Sequence, residues 1–323
     1  SSQQHYYTFS ELKGMEDHSY NTQLFYRLYS YWEENQSYEM RNDIYHLDLV
    51  NNVDTVFLFF YSYYSFLSGS SVRVYDLDFW NRNPDEYIYC QVSSSLLTES
   101  PITEIRRFDS DGGYMNISGF ASAEISEQND SLVYGVNGYF VKSTDGGRNW
   151  EEFGTDFLLI ALSPFNDSVL FGLGYDGLLK SENGGNSFFV VDTNSSNWPD
   201  YNYIYQDILF DKDSLHLYRF YQNGAGYYLS VSDNKGNAFS WTNRYSSTNR
   251  IYLSIDYSQS GKIYLADGRR IYESDNYGLT FNESKIFDRK IVGIYKKPNS
   301  DKLYAATKYD LYEITPDTTV VIK

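Results

Sequence analysis

Apolar and polar positions alternate with a period of two in short runs along most of this chain. FLLIALS at 157, IYLSIDY at 251, YFVKS at 139 and RIYES at 270 are examples. Turn residues interrupt these runs roughly every 8–12 positions, the signature of short antiparallel strands. One pairing recurs: a polar turn feeding an aliphatic and aromatic strand. It reads NPDEYIYC at 83, NDSLVYG at 129, NDSVLFG at 166, DKDSLHLY at 211, SGKIYLA at 260 and SDKLYAA at 300. An apolar strand precedes each copy, and another follows it.

A second repeat interleaves with the first. STDGGRNW starts at Ser143, SENGGNSF at Ser181, SDNKGNAF at Ser232 and SDNYGLTF at Ser274, with a degenerate DSDGGYMN at Asp109. The starts are separated by 34, 38, 51 and 42 residues, one supersecondary unit per copy. The octet suits a tight link between a third and a fourth strand. Asp145, Asn183, Asn234 and Asn276 can accept turn N–H groups that no strand satisfies. Gly147, Gly185, Gly236 and Gly278 permit a left-handed backbone, while Trp150, Phe188, Phe239 and Phe281 are placed to bury their rings under the turn. Ser143, Ser181, Ser232 and Ser274 open the four copies.

Strand, turn, strand, turn, strand, octet, strand, repeated every forty-odd residues, is the pattern of a propeller blade. The expectation is all-β: a single seven-bladed β-propeller over 1–323, built of four-stranded antiparallel blades. Six or eight blades are the error bar. Blades are expected to start near 7, 72, 119, 157, 204, 251 and 291. The first is assigned to TFSELKGMED, QLFYRLYSY, NDIYHLDL and DTVFLFF, and TTVVIK supplies the last strand.

The four octets are similar to the Asp-box, or BNR repeat, so the chain resembles the Asp-box propellers. These include sialidases, sortilin-type receptors, xyloglucan-cleaving glycosidases and photosystem II assembly factors. The clean copies cover Gly119 to Asn282, and strand pattern extends the resemblance to the rest. It implies that the box is a fold element facing away from any ligand. A sialidase would further require an arginine triad and a Phe/Tyr-Arg-Ile-Pro stretch, which is absent. The xyloglucan-cleaving enzymes use two facing propellers, and one is missing here.

Composition narrows the chemistry. The formal charge is −17, with 43 acidic against 26 basic residues. No run of Lys and Arg offsets it, so nucleic acid is not expected as a partner. Cys90 stands alone, which excludes a disulfide framework and a cysteine metal cluster; it reads as a buried, inert thiol. His5, His18, His46 and His216 lack metal-ligand spacing. DSDGG at 109 and DKD at 211 resemble calcium loops but have no glutamate at the twelfth position, Phe120 standing there after Asp109. No metal and no cofactor are expected. Asp76 and Asp78, in VYDLDFW, share one face of a strand and could form an acid/base pair facing a central channel; solvated channel lining is the favoured reading of them. No apolar stretch is long enough to cross a bilayer as a helix. No signal peptide is visible, and sequons at Asn35, Asn116, Asn129, Asn166, Asn194 and Asn282 are compatible with secretion.

Exposed aromatics on loops of a rigid scaffold make stacking platforms. YSYYSF at 61–66 and NSSNWPDYNY at 194–203 are read as blade-to-blade crossings. Tyr61, Tyr63, Tyr64, Phe66, Trp198, Tyr201 and Tyr203 are therefore the candidate ligand surface, with the filling of gaps between blades, as aromatics do in a tyrosine-rich chain, the favoured alternative. The expectation is a non-catalytic extracellular binding or assembly protein, secreted or at a bacterial cell surface, recognising a glycan or protein. The alternatives are a self-assembling subunit of a surface layer or filament, and a glycan-cleaving hydrolase using channel carboxylates.

Overall fold

The computed structural model describes the side chains of residues 123–126, 128–129, 131–136, 139–157, 159–174, 177–193, 208–297 and 299–322; strands before residue 123, and positions 158, 206 and 207, are described by backbone alone. The chain divides into two compact units, one of Ser1–Ser118 with Phe287–Lys323 and the other of Gly119–Ile286. Among the described residues all regular structure is β.

The first unit opens with β1 (Tyr6–Gly14), β2 (Gln23–Glu34), β3 (Ser37–Asp48) and β4 (Val53–Ser65), paired in that order. Next come β5 (Ser70–Ser71), β6 (Phe79–Trp80), β7 (Tyr87–Leu96), β8 (Ile102–Asp109) and β9 (Tyr114–Gly119), a five-stranded group in which both β5 and β6 pair with β7. The same unit ends in a sheet whose strands are given below with their fellows.

The second unit contains four sheets of one design. They are β10 (Ser122–Ile125) to β13 (Glu151–Glu152) through β11 (Val133–Val136) and β12 (Phe140–Ser143); then β14 (Phe157–Leu162), β15 (Leu170–Gly174), β16 (Gly177–Ser181) and β17 (Phe189–Asp192). The third is β18 (Gln206–Phe210), β19 (Leu217–Asn223), β20 (Gly226–Ser232) and β21 (Trp241–Ser247), and the fourth β22 (Ile251–Ile255), β23 (Ile263–Asp267), β24 (Arg270–Ser274) and β25 (Asn282–Ile286). A fifth sheet of the same order, β26 (Ile291–Lys296), β27 (Leu303–Thr307), β28 (Leu311–Ile314) and β29 (Thr319–Val321), closes the chain in the first unit. Each strand pairs antiparallel with the next in sequence, as short hairpin connections require.

Burial follows strand position. β11, β15 and β27 are buried at every residue, whereas β13 and β29 are exposed throughout. A strand buried on both faces calls for continuous apolar character rather than strict alternation, and VYGV, LFGLG and LYAAT have it. The core lies between neighbouring sheets. Tyr134, Phe140, Phe157 and Leu170 form one cluster, Phe171, Leu178, Phe210 and Leu217 a second, and Tyr218, Val231, Ile251 and Ile263 a third. Each such side chain contributes about 1.5–3 kcal/mol by leaving water. Within the second unit the first strands run side by side, β10 next to β14 and β14 next to β18; within the first unit β1 runs beside β26.

Candidate functional site

The octets come first, because they carry the most residues. In each, the serine hydroxyl accepts the N–H of the glycine four positions on: Gly147 to Ser143 at 2.8 Å, Gly185 to Ser181 at 2.9 Å, Gly236 to Ser232 at 2.8 Å and Gly278 to Ser274 at 2.9 Å. Asp145 Oδ1 accepts from the backbone of Arg148 and Asn149, and its Oδ2 accepts the Asn149 amide at 2.6 Å. Asn183 and Asn276 accept the equivalent backbone N–H of Ser187 and Thr280, both at 3.0 Å. Hydrogen bonds from the Asn149 backbone and side chain and from Ser143 draw the Asp145 carboxyl down from 3.8 to about 2, because they favour its charged form. In the first, second and fourth octets the serine and the Asp or Asn side chains are thus taken up by the turn itself.

One octet departs from the expected register. Phe239 does not bury its ring; it is fully exposed on a left-handed backbone with φ 62°. Trp241, two residues later, packs against the cluster of Phe171, Phe210 and Leu217. Ser240 takes up the Ser232 hydroxyl at 2.7 Å, an interaction the other three octets lack among the described residues. The turn is two residues longer here, so the aromatic that closes it is Trp241. Phe188 and Phe281 do pack inward, Phe188 edge-on to Phe140 at 5.1 Å and Phe281 edge-on to Tyr245 at 5.3 Å. Trp150 is half-buried.

Polar ties join the sheets on the octet side. Tyr134 Oη donates to the Asp167 carbonyl at 3.1 Å, and the Lys142 ammonium donates to that of Gly184 at 3.2 Å. Burial, then the Asp167 charge, pushes the Tyr134 phenol up to about 12. Asp211, wholly buried, accepts from Tyr218 Oη at 2.8 Å and from the Gly261 N–H at 2.9 Å. Asp213 accepts from the backbone of Leu215 and His216 and from the His216 ring, which stacks on Tyr277 at 3.7 Å. DKD at 211 is thus a turn and inter-sheet tie. No group of three metal-ligating side chains occurs among the described residues.

The opposite edge of each sheet carries the hairpins between second and third strands and the crossings to the next sheet. There, Arg219 of β19 is buried and pairs with Asp192 Oδ2 at the end of β17 at 3.0 Å, its guanidinium 4.6 Å from the Tyr221 ring. Burial lowers the Arg219 pKa, and Asp192 opposes that shift. Asp267 accepts from Tyr245 Oη at 2.8 Å and Asn249 Nδ2 at 2.9 Å. Each of these acids already holds its partners.

Of the residues expected to line a ligand surface, Tyr61, Tyr63 and Tyr64 fall inside β4, opposite Arg41, Glu39 and Tyr38. They belong to a long strand rather than to a crossing. Phe66, Trp198, Tyr201 and Tyr203 lie outside the described residues, as do Asp76 and Asp78. Sequence reasoning missed a cluster of arginines. Arg250 lies far along the chain from the adjacent Arg269 and Arg270, yet all three stand at one edge of the β22–β25 sheet, because Ile251 pairs with Asp267 and Asp267 with Arg270. Only the pairing register reveals them.

No family model and no curated protein sequence matches the chain. Solved structures do resemble it. The GH74 enzyme of Niastella koreensis superposes with TM-score 0.64 at 13% identity, over 98% of this chain and 53% of that one. The GH74 xyloglucanase from Xanthomonas campestris gives 0.63 at 10%, over 97% and 53%. An ancestral GH74 enzyme gives 0.57 at 13%, over 95% and 44%. The chain spans about half the length of these structures. Their β-propeller domains agree with the stacked four-stranded antiparallel sheets seen here. Chaetomium thermophilum Raptor is also similar, at TM-score 0.54 and 12% identity over 95% and 28%. The three GH74 neighbours correct the expectation of a non-catalytic binding or assembly protein in favour of its glycan-cleaving alternative. No helix among the described residues is long and apolar enough to cross a membrane.

Proposed function

We propose that this chain is a propeller of a secreted glycan-cleaving hydrolase. The observation that carries the proposal is the likeness to GH74 enzymes over 97–98% of this chain and about half of theirs. In this reading the chain is a seven-bladed Asp-box propeller that supplies one wall of a cleft to which further protein contributes. Support for the Asp-box assignment is the shared serine-to-glycine hydrogen bond in all four octets.

Glycoside hydrolysis needs two carboxyl groups, one protonated to assist the leaving oxygen and one ionised to activate water or attack the sugar. The buried and half-buried acids Asp192, Asp211 and Asp267 are held by an arginine, a tyrosine with a backbone N–H, and a tyrosine with an amide. Asp76 and Asp78 are the proposed source of at least one catalytic carboxyl, through the same-face spacing of VYDLDFW. The test is release of reducing ends from xyloglucan and other β-glucans, with Asp76→Asn and Asp78→Asn as variants. Turnover that falls at least a hundredfold in either variant, with unchanged thermal unfolding, supports the reading. Undiminished turnover in both removes these acids from the chemistry, and no turnover of any glycan once the chain is joined to the protein that completes the cleft removes the hydrolase.

A further inference from the structure

The Lys180 side chain, on β16, is 1% exposed and takes no part in the hydrolysis proposed above. Its ammonium leaves the β14–β17 sheet and meets the third octet, which belongs to the β18–β21 sheet. There Nζ donates to Asn237 Oδ1 at 2.8 Å, and on its own sheet to Glu182 Oε1 at 2.7 Å. The wholly buried Phe171 ring lies alongside, its centroid 5.9 Å from Nζ. An amine, a carboxamide and a carboxylate therefore meet at one point, the first two 57 positions apart in the chain.

The backbone around Asn237 is fixed. Gly236 packs on Phe171, so that a β-carbon there would come within 2.5 Å of Cζ, and its N–H is held by Ser232 Oγ. Asn237 donates its own N–H to the Asn234 carbonyl at 3.0 Å, and its carbonyl accepts the Ser240 N–H at 3.2 Å. Asn237 Nδ2 donates to no group among the described residues, and the residue is half-buried, so a group leaving it can reach water. Holding a nucleophile and an electrophile at contact distance turns an encounter into an intramolecular step. A lysine screened from water beside a base is the usual form of an amine nucleophile. Lys142 supplies the contrast. It stands before the first octet's serine as Lys180 stands before the second's, yet its ammonium meets the backbone carbonyl of Gly184, and no carboxylate joins it among the described residues.

From this geometry we infer that Lys180 and Asn237 join in an isopeptide bond, with Glu182 carrying the protons. Glu182 takes a proton from the ammonium, which frees the Nζ lone pair to attack Asn237 Cγ. The Nζ–Cγ bond forms and the Cγ–Nδ2 bond breaks. Of the three ammonium protons, one stays on the new amide nitrogen. The other two pass through Glu182 to Nδ2, which departs as an ammonium ion. Charge is conserved, and nothing is oxidised or reduced. The product staples β16 to the third octet, so that two neighbouring sheets can no longer separate. It is independent of the hydrolase chemistry.

The experiment is intact-mass spectrometry of the purified, folded chain, followed by digestion in denaturant. The mass is expected to fall short of the sequence by one ammonia, and the digest to contain a branched peptide joining Lys180 to Asn237. Glu182→Gln keeps a polar group beside Nζ but cannot take its proton. The Glu182 side chain is 57% exposed, so this variant leaves the core intact; it is expected to unfold cooperatively and to retain the full mass. Lys180→Arg is expected to retain it too, and Lys142→Arg to lose ammonia as the wild type does. Full mass in the folded wild type overturns the inference and leaves Lys180 a hydrogen-bonded tie. Ammonia loss that persists in Glu182→Gln, or that digestion maps to any other asparagine, overturns it as well.

Discussion

Gly185 and Phe140 share one small volume between two sheets: a β-carbon on Gly185 would come within 2.5 Å of Phe140 Cε1. The residue also sits at φ 84°, where any side chain is strained. Gly185→Ala therefore combines overpacking, about 1–3 kcal/mol, with a left-handed backbone, about 1–2 kcal/mol. Gly184→Ala is the comparison. It has φ 68° but meets nothing nearer than 3.5 Å, so only the backbone cost applies. Denaturant unfolding is expected to show Gly185→Ala the more destabilised by at least about 1 kcal/mol; equal losses would mean that the ring yields freely.

Phe239 and Trp241 exchange the roles that sequence spacing assigns them. Phe239 is fully exposed at φ 62°, so Phe239→Gly removes strain and is expected to stabilise by about 1 kcal/mol. Trp241→Ala strips a ring from the Phe171 cluster and is expected to cost about 2–4 kcal/mol, a little under the full-burial range because the ring is half-buried. Chemical denaturation of the two variants decides it. A larger loss at Phe239 would restore the expected register.

These two residues show where sequence reading holds and where it stops. Period-two alternation and Ser-x-Asp/Asn-x-Gly are local statements, and the local structure obeys them: β strands throughout the described residues, and a serine-to-glycine hydrogen bond in all four octets. The ring that closes an octet is chosen by the neighbouring sheet, so a two-residue extension at Ser240 and Trp241 escapes a fixed template. YSYYSF reads as a crossing by its polarity, yet Tyr61 to Tyr64 extend β4 because β3 is long enough to pair with them. Arg250 and Arg269 are 19 positions apart; the pairing of β22 with β23 that brings them to one sheet edge is set by strand register, which composition does not encode.

Asp145 provides a pH signature. Its folded-state pKa is about 2 against an ordinary 3.8, so the carboxylate favours the folded chain above about pH 4. That contribution disappears as the pH falls toward 2. Asp145→Asn lacks it, while Asn183 and Asn276 show that the turn accepts an amide. The unfolding temperature of the wild type is expected to exceed that of Asp145→Asn at pH 7, with the gap closing between about pH 4 and pH 2. A gap that persists at pH 2 would assign the difference to geometry rather than charge. Asn183→Asp is expected to introduce a similar dependence at the second octet.

Asp192 and Arg219 join β17 to β19 by an ion pair that is almost wholly buried on the arginine side, the Arg219 side chain being 4% exposed and that of Asp192 18%. Removing the acid takes an opposite charge from a buried guanidinium, whereas replacing the arginine by an apolar side chain of similar length leaves only a carboxylate near water. Asp192→Ala is therefore expected to cost about 3–5 kcal/mol, and Arg219→Met distinctly less. The double variant should recover much of the Asp192→Ala loss, because neither charge of the pair then remains. Denaturant titration of the two single variants and the double variant measures the coupling. Additive losses would show that solvent already reaches Arg219 and that packing, not the pair, holds these two sheets together.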